Sequence, residues 1–350
     1  MRVPIASLHR FVVEVLTRSG LDAASAVTAA DVLVTTDSWG VFTHGTKSLR
    51  GYVRRLRAGG LKPDARVSVL REGPAWALLD AGSGLAMPAS VAAMDHAIRK
   101  ARAVGIGYAG VRNSCHFGAA GFYAARAAEA GLIGIAMAND IPSVTIPGAR
   151  GAVLGSNPFA FAVPYAPERP ILLDMATSTV AGGKVFAAAT LGKPIPDGWL
   201  TDERGLPTTD PNKLVQGGAL TPMAGHKGYG IALLIETLSG ILTGAATTWQ
   251  VVSWSLHDPK LPTGHGAAFL AVDIASMTDP GEFEERLRRV VEEIRATPLA
   301  EGADRIRLPG DLEWDQRDKS RREGVALPED VRLSVAGVAE DVGIAVPWET

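Results

Sequence analysis

The hydrophobic pattern between residues 66 and 139 switches repeatedly between the two-residue period of a β-strand and the longer period of an α-helix. The alternation at 67–78 surrounds Glu72-Gly73-Pro74 and predicts a hairpin. The segments that follow are predicted as helix at 85–104, strand at 106–111, helix at 118–130 and strand at 132–139. Elements in this order favour a sheet covered by helices, so the sequence predicts an α/β fold.

Helical patterns flank this central region. The first sixty residues read as helices, and further helices are predicted after Asp279-Pro280 and beyond Leu327. On the predicted solvated face of the third helix lie Arg50, Arg54, Arg55 and Arg57. Residues 192–222 are predicted as a long loop able to cover a site, and 231–242 as a buried helix too short to cross a bilayer.

Composition excludes several classes of protein. The 350 residues carry 35 lysines and arginines against 37 aspartates and glutamates, so no basic field favours nucleic acid or an anionic membrane. The single cysteine, Cys115, cannot form an intrachain disulfide, and no Cys/His cluster has the spacing of a zinc site. The N-terminus lacks the apolar core of an export signal, so we expect a reducing, cytoplasmic compartment and no metal.

Three of the seven histidines lie where a predicted element begins or ends. These are His44 in Phe-Thr-His-Gly, His116 in Ser-Cys-His-Phe-Gly and His226 in Gly-His-Lys-Gly. A histidine on such a loop can titrate near neutrality and transfer a proton. The remaining histidines are interpreted as structural: His9 and His96 in charged helices, His257 and His265 in loops.

Glycine-rich helix entrances occur at 116–121 and 225–230, where backbone N–H groups can approach an anion such as a dinucleotide pyrophosphate. Asp174 follows an apolar strand and is a candidate to cap a helix or to bind a ribose hydroxyl. The G-x-G-x-x-G fingerprint of an ordinary Rossmann fold is absent. Gly182-Gly183-Lys184 lacks the features of a Walker A loop, which disfavours a nucleoside-triphosphate hydrolase.

Six sequence motifs, taken in their order along the chain, resemble those of the type-2 malate/L-lactate dehydrogenase family, and the match covers nearly the whole chain. They are Thr43-His-Gly with Tyr52 and Arg55-Leu56 downstream, Arg112-Asn-Ser-Cys-His-Phe-Gly-Ala-Ala-Gly, Leu154-Gly-Ser-Asn-Pro, Asp174-Met-Ala-Thr-Ser, Gly225-His-Lys-Gly-Tyr-Gly and Pro309-Gly-Asp. The family also includes ureidoglycolate and sulfolactate dehydrogenases, diketogulonate reductase and a cyclic-imine reductase.

The resemblance implies a three-layer α/β/α fold with a mixed sheet, a non-Rossmann NAD(P)-binding fold, and an intertwined homodimer. Changes of periodicity set the bounds of four segments. With the resemblance, they are expected to be a helical N-terminal part of the substrate and dimer region (1–65), an α/β segment of the main domain (66–120), an NAD(P)-binding α/β region (121–275) and a C-terminal helical segment returning to the main domain (276–350).

The activity implied is NAD(P)-dependent interconversion of a small 2-hydroxy acid and a 2-oxo acid by hydride transfer. His44, supported by Thr43, and His116 are both carried over as acid/base candidates, and Ser156 as a substrate contact. The cofactor contacts implied are His116, Phe117, Gly118, Ala119, Ala120, Asp140, Asp174, Met175, Ala176, Lys184, His226, Lys227, Pro309, Gly310 and Asp311.

The chain departs from the family at Ser48, where many members carry an arginine that binds the substrate carboxylate. A lysine is a point charge and lacks the bidentate fork of arginine. We therefore expect Lys47 or Arg50 to bind the carboxylate instead, beside Ser48, with a changed preference for substrate shape.

Alternative functions remain at this point. Two alternative activities belong to the same fold: reduction of a cyclic imino acid and reduction of a diketo sugar acid. Two alternatives come from other classes of protein: a transferase that binds phosphate esters, and an inactive, oligomeric nucleotide-binding protein. The choice between NAD and NADP is also open.

Overall fold

The computed structural model describes residues 2–348, which contain a large and a small β-sheet. The large sheet is built from β1 (Ser68–Gly73), β2 (Trp76–Asp80), β3 (Ile106–Ser114), β4 (Leu132–Ala138), β5 (Phe159–Ala166), β6 (Arg169–Met175) and β10 (His265–Asp273). The small sheet consists of β7 (Leu200–Thr201), β8 (Pro207–Thr208) and β9 (Ala219–Leu220), within the predicted 192–222 loop.

The order of the seven-stranded sheet is β1-β2-β3-β10-β4-β5-β6. β2 and β3 are parallel, and the other neighbouring pairs of this sheet are antiparallel. The last strand of the chain thus enters the middle of the sheet, between β3 and β4. This mixed arrangement differs from the parallel order of a Rossmann fold and confirms the predicted fold class.

Ten α-helices surround the sheets within residues 2–348. They are α1 (Ile5–Arg18), α2 (Ala23–Ser38), α3 (Leu49–Ala58), α4 (Ala86–Val104), α5 (Ala120–Glu129), α6 (Gly182–Thr190), α7 (His226–Ile235), α8 (Pro280–Arg295), α9 (Asp311–Glu323) and α10 (Glu329–Val342). α7 continues as a π-helical turn, Glu236–Ile241. None of these helices is long and apolar enough to span a bilayer.

Two neighbouring residues of β3 contact the two layers of helices. A Cβ on Gly107 would lie 2.0 Å from the carbonyl oxygen of Ala97 in α4, so only glycine allows this close approach. The hydroxyl of Tyr108 donates to the carbonyl of Leu238 in the π-helical turn, at 2.7 Å. Because neighbouring side chains of a strand point to opposite faces, α4 and the π-helical turn cover opposite sides of the sheet.

Two expectations about the helices are wrong. Arg55 in α3 is only 1% exposed, because its guanidinium extends inward to backbone carbonyls instead of facing solvent. The 231–242 segment is helical as predicted, but it is not buried within this chain. Leu234, Ile241 and Leu242 are 56%, 61% and 59% exposed.

Candidate functional site

A cleft of about 750 Å³ opens where the chain leaves several strands of the large sheet. Its walls come from the segments after β3, β4 and β6, from the start of α6 and from the turns that carry His44 and Trp254. Of the predicted site residues, those that line the cleft are Thr43, His44, Lys47, Ser48, His116, Phe117, Gly118, Ala119, Ala120, Asp140, Ser156, Asp174, Met175, Ala176 and Lys184.

His44 ends a short 3₁₀ turn that buried Asp37 holds in place. Oδ2 of Asp37 accepts hydrogen bonds from the backbone N–H and the hydroxyl of Thr46, at 3.1 and 2.5 Å. Gly45 lies so close that a Cβ there would fall 1.8 Å from Oδ1 of Asp37. Oγ1 of Thr43 is 2.8 Å from Nδ1 of His44, which fixes the orientation of the imidazole.

His116 lies between two aromatic rings directly after β3. Its imidazole stacks on the indole of Trp254, with ring centroids 4.5 Å apart, and on the imidazole of His44, at 5.5 Å. Nδ1 of His116 is 2.6 Å from the phenolic oxygen of Tyr52 in α3. The two histidines predicted as acid/base candidates are therefore adjacent, and an aromatic residue and a hydrogen bond hold one of them rigidly.

The electrostatics of this end of the cleft keep both histidines neutral. Burial lowers the pKa of His44, although the charge of Asp140 opposes the shift. Burial and the neighbouring His44 lower the pKa of His116 to about 3. Burial also raises the pKa of Tyr52 well above its usual value, so the phenol keeps its proton.

Asp140 and His265 form a pair that the sequence did not indicate. Nε2 of His265 lies 3.0 Å from Oδ1 of Asp140, and His265 is 3% exposed. The interpretation of His265 as a loop residue is wrong, because it begins β10 opposite Ser114 and lines the cleft. Burial opposes ionisation of Asp140, but the hydrogen bond and the charge of His265 hold the pKa of that carboxyl below its usual value.

Asp174 ends β6 with its carboxylate facing the cleft. Oδ2 accepts a hydrogen bond from the backbone N–H of Gly121, at 2.7 Å. Asp174 thus caps the start of α5, which precedes it in the chain. Desolvation by the surrounding protein raises the pKa of this carboxyl to about 6, and the hydrogen bond from Gly121 opposes the shift. The side chain remains accessible from the cleft.

The first turn of α6, Gly182 to Lys184, forms another part of the cleft wall. A Cβ on Gly182 or Gly183 would meet its nearest heavy atom only at 3.7 or 3.8 Å, so the side-chain positions of these two residues are open. A helix N-terminus with a lysine suits a phosphate, and the strand-end carboxylate of Asp174 suits a ribose hydroxyl. These donors and acceptors fit a nicotinamide dinucleotide.

The structure does not bring every predicted residue into the cleft. Exposed His226 and Lys227 begin α7 outside it. Pro309 and Gly310 contact Leu172, a lining residue, and the carbonyl of Pro309 accepts from the N–H of Leu172 at 3.0 Å. Asp311 begins α9 and accepts from the N–H of Leu308, outside the cleft lining.

The two cations predicted to bind the substrate carboxylate are both paired with α10. Nζ of Lys47 lies 2.6 Å from Oδ2 of Asp330, at the rim of the cleft. The guanidinium of Arg50 forms two hydrogen bonds with Asp341, at 2.8 and 3.2 Å, and lines a separate groove. Within residues 2–348, no group of three or more His, Cys, Asp or Glu side chains is arranged to hold a metal ion.

Comparisons with known proteins agree with this geometry. The sequence model described as malate/L-lactate dehydrogenase matches residues 3–335. The chain belongs to the malate/L-lactate dehydrogenase family. It is 37% identical to a malate dehydrogenase of Pyrococcus horikoshii, over 98% of this chain and 96% of that protein.

Two further members of the family extend the comparison. A Delta(1)-pyrroline-2-carboxylate/Delta(1)-piperideine-2-carboxylate reductase of Pseudomonas putida is 34% identical, over 94% of each chain. The solved structure of malate dehydrogenase from Pyrococcus horikoshii OT3 superposes with a TM-score of 0.90 at 34% identity, covering 99% of this chain and 97% of that one. Membership confirms the predicted family, oxidoreductase class and nicotinamide cofactor.

Proposed function

We propose that the enzyme interconverts a small 2-oxo acid and the corresponding 2-hydroxy acid, with His116 contacting the reacting oxygen. The observation that carries this proposal is the hydrogen bond between Tyr52 and Nδ1 of His116 at the end of the cleft. When bound, the nicotinamide supplies or accepts the hydride. The residues that would hold the cofactor are the first turn of α6, Asp174 and the segment 116–120.

The protonation state of His116 follows from its neighbours. Because burial keeps the Tyr52 phenol protonated, we assign Tyr52 as the donor and Nδ1 of His116 as the acceptor. A neutral imidazole that accepts at Nδ1 carries its proton on Nε2. That N–H is directed at the substrate oxygen, where it stabilises the negative charge that develops during reduction.

The carboxylate of the substrate is assigned to the rim near Lys47 and Ser48. Both residues line the cleft, and the ion pair of Lys47 with Asp330 lies at an exposed position where it can exchange partners. Arg50 lines a different groove, which favours Lys47 of the two predicted cations. Ser156 also lines the cleft and supplies a hydroxyl.

Steady-state absorbance of NADH and NADPH with a panel of 2-oxo acids tests this proposal. The His116→Ala enzyme is expected to lose activity about 10²- to 10³-fold, the range for removal of a hydrogen-bond donor that stabilises a developing negative charge. His44→Ala measures the contribution of the second histidine. His9→Ala, which removes a surface histidine paired with Asp31, is the matched control and leaves activity unchanged. Full activity of His116→Ala would exclude the assignment.

We infer that two copies of the chain associate through α7 and the π-helical turn. The exposed leucine and isoleucine side chains there, including Leu234 and Ile241, form an apolar surface of the kind that marks a subunit interface. Light scattering on Leu234→Lys and Ile241→Lys is expected to show a shift from dimer to monomer. Leu333→Lys, which changes an exposed leucine of α10, is the control.

The cytoplasmic location stays a prediction. Its support is Cys115, the single cysteine of the chain. Burial raises the pKa of this thiol to about 11, which keeps it protonated and unreactive.

A further inference from the structure

A second groove adjoins the cleft at the start of α3. Its volume is about 800 Å³, and four residues line both the groove and the cleft: Lys47, Ser48, Trp254 and Ser255. One of them, Trp254, stacks on His116. The groove therefore begins one side chain away from the histidine at which we place the reaction, and a substrate with a long tail meets a second void directly beside the cleft.

The boundary between the cleft and the groove contains one small side chain. Ser48 lines both voids, and its hydroxyl donates to the carbonyl of Thr43 at 3.3 Å. The arginine that many family members carry at this position would place a long, charged side chain at the boundary instead. The serine of this chain leaves the boundary to the indole of Trp254 and to the exposed side chains of Lys47 and Ser255.

Three arginines of α3 line the groove beyond this boundary. Arg50, Arg54 and Arg57 follow one another at spacings of four and three residues, which places them on one face of the helix. The carboxylate of the lining is Asp341 of α10. It accepts two hydrogen bonds from Arg50, and its backbone carbonyl accepts one from Arg57. Cations thus outnumber carboxylates in the wall of the groove.

The flanking charges do not reverse this balance. Lys47 is paired with Asp330, and Glu340 acts on Arg50 from α10. The side chains that line or flank the groove are then four cations and three carboxylates: Lys47, Arg50, Arg54, Arg57, Asp330, Glu340 and Asp341. The field in the groove therefore favours an anionic group.

Arg54 is the cation that this arrangement leaves available. Its exposed guanidinium makes no hydrogen bond or ion pair within residues 2–348. It follows Ser48 by six residues, so the helical rise places it roughly 9 Å from the boundary along the axis of α3. A planar guanidinium binds a carboxylate through two parallel hydrogen bonds. The groove thus provides an anion-binding group at a set distance from the cleft.

We propose that Arg54 is a specificity residue that binds a second carboxylate of the substrate, at the end of a tail that passes Ser48 and lies in the groove. The preferred substrate class is then a long-chain 2-oxo dicarboxylate, with about six to eight carbons between its two ends to span this distance. The carboxylate next to the oxo group stays at Lys47 and Ser48. This inference rests on the proposed function, since it concerns the tail of the same substrate.

The first experiment compares kcat/KM for 2-oxosuberate and 2-oxooctanoate, two acids of equal chain length that end in a carboxylate and in a methyl group. The wild-type enzyme is expected to favour 2-oxosuberate about 3- to 10-fold, the contribution of an ion pair at an exposed position. Arg54→Gln is expected to remove most of this preference. Arg71→Gln makes the same change at an exposed arginine of β1, outside both voids, and leaves the ratio unaltered.

The passage at Ser48 is tested by two variants, through the ratio of kcat/KM for 2-oxosuberate to that for pyruvate. Ser48→Ala keeps the boundary small and is expected to retain the ratio. Ser48→Arg fills the boundary and is expected to lower the ratio about 10-fold or more, because it excludes the tail and adds a fork for the carboxylate of pyruvate. Thermal unfolding shows whether both variants remain folded, and the ratio of two substrates on one enzyme is insensitive to the folded fraction.

Several results would overturn the proposal. They are equal kcat/KM values for 2-oxosuberate and 2-oxooctanoate in the wild-type enzyme, an unchanged ratio in Arg54→Gln, and a higher kcat/KM for oxaloacetate, which is too short to reach Arg54, than for 2-oxosuberate. Each of these results leaves turnover of 2-oxo acids intact. Absence of turnover with every 2-oxo acid, short or long, would instead contradict the proposed function itself.

Discussion

The imidazole of His116 stacks on the indole of Trp254 with ring centroids 4.5 Å apart and an angle of 18° between the ring planes. Trp254 comes from the loop that precedes β10, almost 140 residues further along the chain. It can pack there because residue 51 is glycine: a Cβ at Gly51 would lie 2.7 Å from the indole ring. The orientation of His116 therefore depends on a contact between distant segments.

Replacement of Trp254 should reduce activity through this contact. Trp254→Phe preserves a ring and is expected to lower kcat less than 10-fold, whereas Trp254→Ala frees the imidazole and should lower it about 100-fold, as expected when a reacting group is misplaced. Steady-state kinetics measures both values. Trp76→Phe, in β2 and outside the cleft, is the control. Equal activity of the phenylalanine and alanine variants would show that stacking is unimportant.

A methyl group at Gly45 should displace the turn that carries His44. The added Cβ would lie 1.8 Å from Oδ1 of Asp37, and Asp37 is fully buried, so the turn must move. We expect Gly45→Ala to lower the free energy of unfolding by about 1–3 kcal/mol, the usual cost of overpacking, together with activity. Urea unfolding and steady-state kinetics check the two effects. Unchanged stability would mean that the turn has room to adjust.

The sequence predicted the elements better than their contacts. The hairpin, the helices predicted after Asp279-Pro280 and beyond Leu327, and the alternation around β3 and β4 were readable because each depends on local periodicity and end residues. The order of the sheet was not readable, since β10 enters between β3 and β4 from far along the chain. Hydrophobic periodicity carries no information on which strands pair.

The same limit explains what was missed at the site. The motifs identified His44 and His116, which lie beside glycine-rich turns. They did not identify the Asp140–His265 pair, because its members are 125 residues apart and meet only through pairing of β10 with its neighbours. Arg55 was assigned to solvent from its charge, since no local pattern shows that the loop at 253–261 covers it.

Arg55 should be essential for that loop. Its guanidinium donates to the carbonyls of Trp254, Leu261 and Ser253, at 2.6, 2.7 and 2.6 Å. Arg55→Lys keeps the charge but cannot reproduce the planar fork, so two or more carbonyls lose their donors. We expect a loss of about 2–4 kcal/mol in the free energy of unfolding, since each unsatisfied buried group costs about 1–3 kcal/mol.

Chemical denaturation measures this loss, and Arg54→Lys serves as the matched control. Arg54 is the preceding residue of α3, and its exposed guanidinium makes no hydrogen bond within residues 2–348. It should change stability by less than about 0.5 kcal/mol, as surface substitutions usually do. Similar stabilities for the two variants would contradict the role assigned to Arg55.

Asp37 should make the protein less stable as the pH rises. Burial raises the pKa of this carboxyl from 3.8 to about 7, and the hydrogen bonds from Thr46 offset the shift only in part. The folded state therefore holds the proton more tightly than the unfolded state does. The stabilisation from this group is complete below about pH 4 and is lost as the pH rises to about 7, by an amount on the order of 4 kcal/mol.

Asp37→Asn removes this titration while keeping an oxygen that can accept from Thr46. We expect the free energy of unfolding of the wild-type protein to fall between pH 5 and pH 8 relative to that of the variant, measured by urea unfolding at both values. Asp64→Asn, at an exposed aspartate, should follow the wild-type profile. Other groups titrate equally in all three proteins. Parallel profiles of wild type and Asp37→Asn would therefore contradict the raised pKa of the carboxyl beneath the His44 turn.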